Sequence, residues 1–193
     1  MIEKNGLMEN FPNITWIDTE TGGLDEGKDN LYEVAALVTD RNLNILDPNG
    51  FQMVVHYPKE KVAALRSAAF PVVQEMHDKT GLWDRLPSGS PLEEVDAKLH
   101  EYVSQFSEPG VSWLGGNSIT LDRNFLRANL PQSFGHLSYR SFDVTTIAGV
   151  AKAWYGLTYE KQLLHSAFSD ITESIAELRF YRENIFKPLP DTK

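Results

Sequence analysis

The rhythm of apolar and polar positions changes several times along the chain, and each change marks an element. Ile14, Trp16 and Ile17 form an apolar run that passes into Asp18 and Glu20 and then into Gly22-Gly23, the pattern of a buried strand meeting a turn. Leu31 to Thr39 is almost continuously apolar and reads as a mostly buried strand. Leu43 to Leu46 and Phe51 to Val55 continue in the same style on either side of Asp47-Pro48-Asn49-Gly50, a strong turn signal. Short turns between consecutive strands favour an antiparallel meander. From Lys59 the spacing becomes helical through Val62, Leu65 and Ala69, with a break at Pro71. Leu92, Val95, Leu99, Tyr102, Val103 and Phe106 then form a helical stripe closed by Pro109-Gly110.

Val111 to Leu114 is a short strand candidate, and Gly115-Gly116-Asn117-Ser118 is a helix-start signature leading to Leu121, Phe125 and Leu126, with an end near Pro131. Phe142 to Trp154 fits strand or helix. The final helix is the clearest: Ile171, Ile175, Leu178 and Tyr181 share a face, with acids early and Arg179 and Arg182 late. There is no repeat, linker or low-complexity tract. Strands, then helices, then alternation predict an α/β protein with a mixed sheet flanked by helices. At 193 residues the chain is expected to form one domain spanning 1–193, with residues 1–11 a flexible arm and 187–193 a flexible tail.

Composition narrows the function classes. Apolar residues make up 41% of the chain, yet no tract has the length needed to cross a bilayer, and Met1-Ile2-Glu3-Lys4-Asn5-Gly6 has no signal core. There are no cysteines, hence no disulfide frame and no thiolate metal site. A cytoplasmic protein with no membrane partner is the expectation. The formal net charge of −9 argues against gripping long duplexes by phosphate neutralisation. Metal-dependent chemistry on something short stays open.

The candidate chemistry starts at Asp18 and Glu20. A period of two puts both carboxylates on one side of an extended strand, and hard oxygen donors suit Mg²⁺ or Mn²⁺. Asp122 falls in the first turn of its helix, and His165 and Asp170 fall just before and at the start of the last helix. Each has an ordinary alternative. The strand end fits a solvated acidic turn, Asp122 a helix-dipole contact, Asp170 with Glu173 a capping box, and His165 a histidine packed beside Leu163-Leu164.

Taken together, the chain resembles the oligoribonuclease branch of the DEDDh 3′→5′ exonucleases, across nearly its whole length. The matching stretches are Trp16-Ile17-Asp18-x-Glu20, Leu37-Val38-Thr39-Asp40 with Leu43-Asn44-Ile45 as second and third strands, His77-Asp78-Lys79-Thr80-Gly81-Leu82, Gly116-Asn117-Ser118-Ile119 with Asp122 and Phe125-Leu126, Asp143-Val144-Thr145, and His165-x-Ala167-x-x-Asp170-Ile171 with Glu173-Ser174, Glu177-Leu178 and Tyr181-Arg182. The resemblance implies a ribonuclease H-like mixed five-stranded sheet, three antiparallel strands and then parallel ones, flanked by helices. It implies removal of mononucleotides from the 3′ end of very short RNA, dinucleotides included, and a homodimer.

It also implies two divalent metal ions, Mg²⁺ or Mn²⁺, held by Asp18, Glu20, Asp122 and Asp170. Sites of this kind gather carboxylates from separate elements around ions roughly 3.5–4 Å apart. His165 is the implied general base, with activity falling below about pH 6.5 as an unperturbed imidazole protonates. By the same matching Leu24 is an apolar wedge at the terminal base, Ser118 contacts the scissile end, and His77 lies in the segment that covers the bases. Tyr139 and Arg140 would reach the substrate's 5′ phosphate from the second subunit, a task suited to a guanidinium fork.

Two positions depart from the family. The turn reads Thr21-Gly22-Gly23-Leu24, closer to general DEDDh exonucleases, and the base-stacking tryptophan position is Val72, with Phe70 or Trp83 as substitutes nearby. Both leave open a broader exonuclease that trims longer single-stranded DNA or RNA. An aspartate phosphatase would need a second Asp where Glu20 stands, and a non-catalytic nucleic-acid-binding module is the remaining alternative.

Overall fold

The structure, a computed structural model, describes residues 11–160 and 167–187. Three strands form the expected meander: β1 (Ile14–Thr21), β2 (Leu31–Thr39) and β3 (Phe51–Val54). After a helical stretch, α1 (Lys59–Ala68), α2 (Pro71–Thr80), α3 (Leu82–Arg85) and α4 (Leu92–Ser104), the chain returns to the sheet as β4 (Trp113–Gly116). Helices α5 (Thr120–Asn129) and α6 (Pro131–His136), strand β5 (Ser141–Asp143), α7 (Val144–Tyr155) and α8 (Ala167–Ile185) complete it. The sheet has five strands in the order β3-β2-β1-β4-β5, antiparallel through β1–β2–β3 and parallel through β1–β4–β5. This is the mixed sheet the residue pattern predicts.

Alternation along the central strands builds a core on each face. Ile17, Val34, Ala36 and Val38 pack with α4 and α5 through Val95, Leu99, Phe125 and Leu126. Ile14, Trp16, Ala35 and Leu37 pack with α7 and α8 through Val144, Ile171, Ile175 and Leu178. A third cluster of Tyr32, Leu82, Trp83 and Leu86 seats α1 to α3 beside the sheet. Side chains at Ile14, Trp16, Asp18 and Glu20 share the face covered by α8, so the strand that fills the core also carries two acids to its end.

Several boundaries differ from the sequence reading. Leu43 to Leu46 is not a strand. The Asp40 carboxylate accepts the Asn42 and Asn44 backbone N–H groups, and the tight turn puts Leu43 at φ 68°, leaving one isolated bridge from Ile45 to Thr39. The third strand is therefore β3. Gly115-Gly116 belongs to β4, because a Cβ on Gly115 would stand 2.6 Å from Ile14 Cγ2, and only glycine lets β4 approach β1 there. Phe142 to Trp154 resolves into both options, a short strand and then α7. No helix among the described residues is long and apolar enough to cross a membrane.

Candidate active site

Gly115 of β4 pairs with Trp16 and Gly116 with Asp143 of β5, so both strands end just before Asp18 while β1 runs on to Thr21. Asp18 and Glu20 leave β1 on the α8 side, and Asp170 lies in the first turn of α8. One carboxylate oxygen from each of the three lies within 4.8 Å of the others. Asp170 is inside the helix, since Ser174 Oγ donates to its carbonyl oxygen at 2.8 Å, so the N-cap alternative does not hold. Asp122 arrives from the opposite face of the sheet on α5. Its Oδ1 accepts the Thr19 backbone N–H at 2.9 Å and the Thr19 hydroxyl at 2.8 Å, a grip that fixes the carboxylate against the strand between Asp18 and Glu20.

Crowding shows in the proton affinities. Burial, then the neighbouring Asp122, Glu20 and Asp170, raises Asp18 well above the usual carboxylate range. Burial, then Glu33, Asp170 and Asp122, pushes Glu20 up to about 8. Burial raises Asp122 to about 6 against the pull of its two Thr19 hydrogen bonds. Among the described residues no lysine or arginine forms an ion pair with Asp18, Glu20 or Asp122. Oxygen-only donors, close packing and a deficit of positive charge fit hard divalent cations, and Asp18, Glu20 and Asp170 are the residues that would hold them.

The end of β4 is clamped to the helices around it. Asn117 donates to Ser174 Oγ at 2.8 Å and to Glu177 Oε2 at 3.0 Å, and accepts from Thr145 Oγ1 at 3.1 Å. Asp143 caps α7 through the Thr145 N–H. The Ser118 N–H donates to Thr145 Oγ1 at 2.9 Å, with Ser118 itself held at φ 52° and exposed. The backbone therefore holds Ser118 against Asp143 and Thr145, exposed at the end of β4, in a conformation that few non-glycine residues adopt.

Other expected positions fall as follows. His165 lies outside the described residues. Leu24 is 70% exposed after the glycine turn. Tyr139 is 77% exposed, and Arg140 stacks over the Trp113 and Tyr139 rings. His77 needs correction as a base-covering group: it is fully buried, with Nε2 donating to the Thr21 carbonyl at 3.0 Å and Nδ1 3.8 Å from Glu20 Oε2. Burial holds it below the ordinary histidine range. It props the strand end from beneath. Trp83 is also excluded as a stacking platform, being buried against Tyr32 and His77, whereas Phe70 is 56% exposed. Sequence reasoning gave no role to Thr19, to Asn117 or to the pair of buried Glu33 with the partly exposed Arg85, all of which act through partners far away in the chain.

Known proteins resemble this chain in sequence and in fold. The family described as Exonuclease matches residues 15–178. The chain is 42% identical over 182 residues to the oligoribonuclease of Streptomyces coelicolor, covering 92% of this chain and 88% of that one. It is 37% identical over 185 residues to the mitochondrial oligoribonuclease of Mus musculus, covering 93% and 76%. A structure of E. coli exonuclease I in complex with an oligonucleotide superimposes with a TM-score of 0.67 at 16% identity, covering 90% of this chain and 41% of that one, and bears on the fold alone. This membership sets aside the aspartate phosphatase and the non-catalytic binding module. With the acids converging toward the end of β1 and both sequence relatives matching more than nine-tenths of this chain, the chain belongs to the oligoribonuclease family of exonucleases.

Proposed function

We propose that the protein is a 3′→5′ exoribonuclease that hydrolyses very short single-stranded RNA, dinucleotides included, to mononucleotides, with two divalent ions, Mg²⁺ or Mn²⁺, at its acidic cluster. The observation that carries this is the convergence of Asp18, Glu20 and Asp170 within 4.8 Å in a chain whose relatives are oligoribonucleases. Divalent ions bound there would supply positive charge to the scissile phosphate and ease deprotonation of a water. Asp18, Glu20 and Asp170 would hold that charge in place, and Asp122, anchored on Thr19, completes the acidic wall.

Hydrolysis forms a bond from the water oxygen to phosphorus and breaks the bond from phosphorus to the 3′ oxygen. His165 takes the water's proton, and the departing 3′ oxygen takes up a proton from solvent to leave as a hydroxyl. Leu24 wedges at the terminal base, and Ser118 contacts the scissile end. Tyr139 and Arg140 serve the 5′ phosphate on a second copy of the chain. Position supports this: Arg140 precedes β5 at the edge of the sheet where β1 starts, whereas Asp18 and Glu20 lie where β1 ends. A cytoplasmic homodimer belongs to the same reading.

A broader exonuclease is the second reading, favoured by the exposed aliphatic Val72 and by the burial of Trp83. Timed cleavage of 5′-labelled RNA and DNA of two to about twenty nucleotides separates the two. Fast cleavage of RNA dinucleotides relative to long substrates supports the proposal. Dinucleotides cut much more slowly than long strands would replace it with the second reading.

A further inference from the structure

A fifth acid, already supplied with its own cation, is buried against the site. Glu33 stands directly opposite Glu20 in the β1–β2 ladder and is 1% exposed. Residues directly opposite one another project from the same sheet face, so both carboxylates leave the strands on one side. Arg85, the last residue of α3, donates to Glu33 from two guanidinium nitrogens at 2.6 and 3.1 Å. Gln52 Nε2 adds a third hydrogen bond at 2.9 Å. Glu20 feels both members, Glu33 raising its proton affinity and Arg85 lowering it.

Without Arg85, Glu33 would be an uncompensated buried carboxylate beside a group of acids that collects cations. Its readiest relief would be to share those cations. The planar fork of Arg85 occupies both Glu33 oxygens and removes that option. A plain structural bridge, tying α3 to the sheet, would affect stability but would leave cation affinity alone.

We propose that Arg85 is a positioning residue for the cation site: by pairing with Glu33 it keeps that carboxylate out of the acidic cluster and leaves Glu20 as the glutamate facing Asp18 and Asp170. The inference rests on the metal-dependent reading given above. Mn²⁺ titration by calorimetry on the metal-free full chain tests it, comparing wild type, Arg85→Met, Glu33→Gln and the double variant, with the melting temperature of each in EDTA. Releasing Glu33 in Arg85→Met should tighten Mn²⁺ binding roughly tenfold, and leaving Arg85 to face Glu20 in Glu33→Gln should weaken it roughly tenfold. The double variant should return to within about threefold of wild type.

Equal Mn²⁺ affinity in all four proteins, with only melting temperatures changed, would overturn the role of the pair while leaving the metal site standing. If Arg85→Met does not fold, the double variant must still bind more tightly than Glu33→Gln, and equality of those two overturns the proposal. No Mn²⁺ binding by wild type would overturn the metal site itself.

Discussion

Asp96 and Glu20 are both acids withdrawn from water, at 3% and 6% exposure, and they have opposite surroundings. Asp96, on α4, accepts the Gln132 and Ser133 backbone N–H groups at 2.9 Å each and the Ser133 hydroxyl at 2.7 Å, capping the start of α6 from a neighbouring helix. Its charge is absorbed by donors the chain itself provides. Glu20 lies among acids instead, next to Asp18 and Asp170 and opposite Glu33, with proton affinity raised to match. Burial therefore does not distinguish a working carboxylate from a structural one. What distinguishes them is whether the fold supplies the compensating partners or leaves them to come from outside.

The largest expected effect is at the acidic cluster. Asp18→Asn should lower the turnover of an RNA dinucleotide roughly a thousandfold or more, since it removes a ligand to the charge that hydrolysis needs. Its melting temperature in EDTA should be unchanged or higher, because repulsion is relieved. Asp96→Ala should behave in the reverse way. It strands the Gln132 and Ser133 backbone N–H groups at the start of α6, while the Ser133 hydroxyl keeps the Asp96 carbonyl, and should cost about 2–4 kcal/mol in chemical denaturation. Turnover per folded molecule, measured well below its melting temperature, should match wild type. Strong loss of stability in Asp18→Asn with normal turnover would erase the distinction.

A smaller effect concerns pH. The folded-state proton affinities of Glu20, at about 8, and Asp122, at about 6, lie above those of an unfolded chain. Such groups favour the folded state at low pH, and that contribution is lost as pH rises from the ordinary carboxylate range to about 6 for Asp122 and about 8 for Glu20. The metal-free protein should lose stability over that window, and added Mg²⁺ should raise the melting temperature more at pH 8 than at pH 6. Asp96→Ala should keep this trend, and an equal Mg²⁺ increment at both pH values would contradict it. The smallest effect lies outside both acid groups. Val72→Trp supplies an exposed ring worth about 1 kcal/mol of stacking, so the dinucleotide KM should fall several-fold with no change in melting temperature.

The order of elements was legible because strand and helix periods carry it, whereas Asp18, Glu20, Asp122 and Asp170 stood out as a set only through the resemblance to a family, each alone having an ordinary alternative. What the chain concealed depends on partners distant in sequence. Nothing near Thr19 announces that it holds Asp122, and Glu33 looks like one more strand residue until Arg85 reaches it. Asp96 drew no attention inside an amphipathic helix, because its partners lie on α6. His77 matched a motif, but only the packing of Tyr32 and Trp83 around it reveals a buried prop in place of a surface contact. Leu43 to Leu46 read as a strand by hydrophobicity, and the Asp40 side chain turned it into a loop.

The central claim is that the end of β1 collects divalent cations, and anomalous diffraction from crystals grown with Mn²⁺ tests it most directly. Two anomalous peaks should appear, each about 2.0–2.3 Å from carboxylate oxygens drawn from Asp18, Glu20 and Asp170. Peaks confined to other parts of the surface, with none between these carboxylates at saturating Mn²⁺, would contradict it.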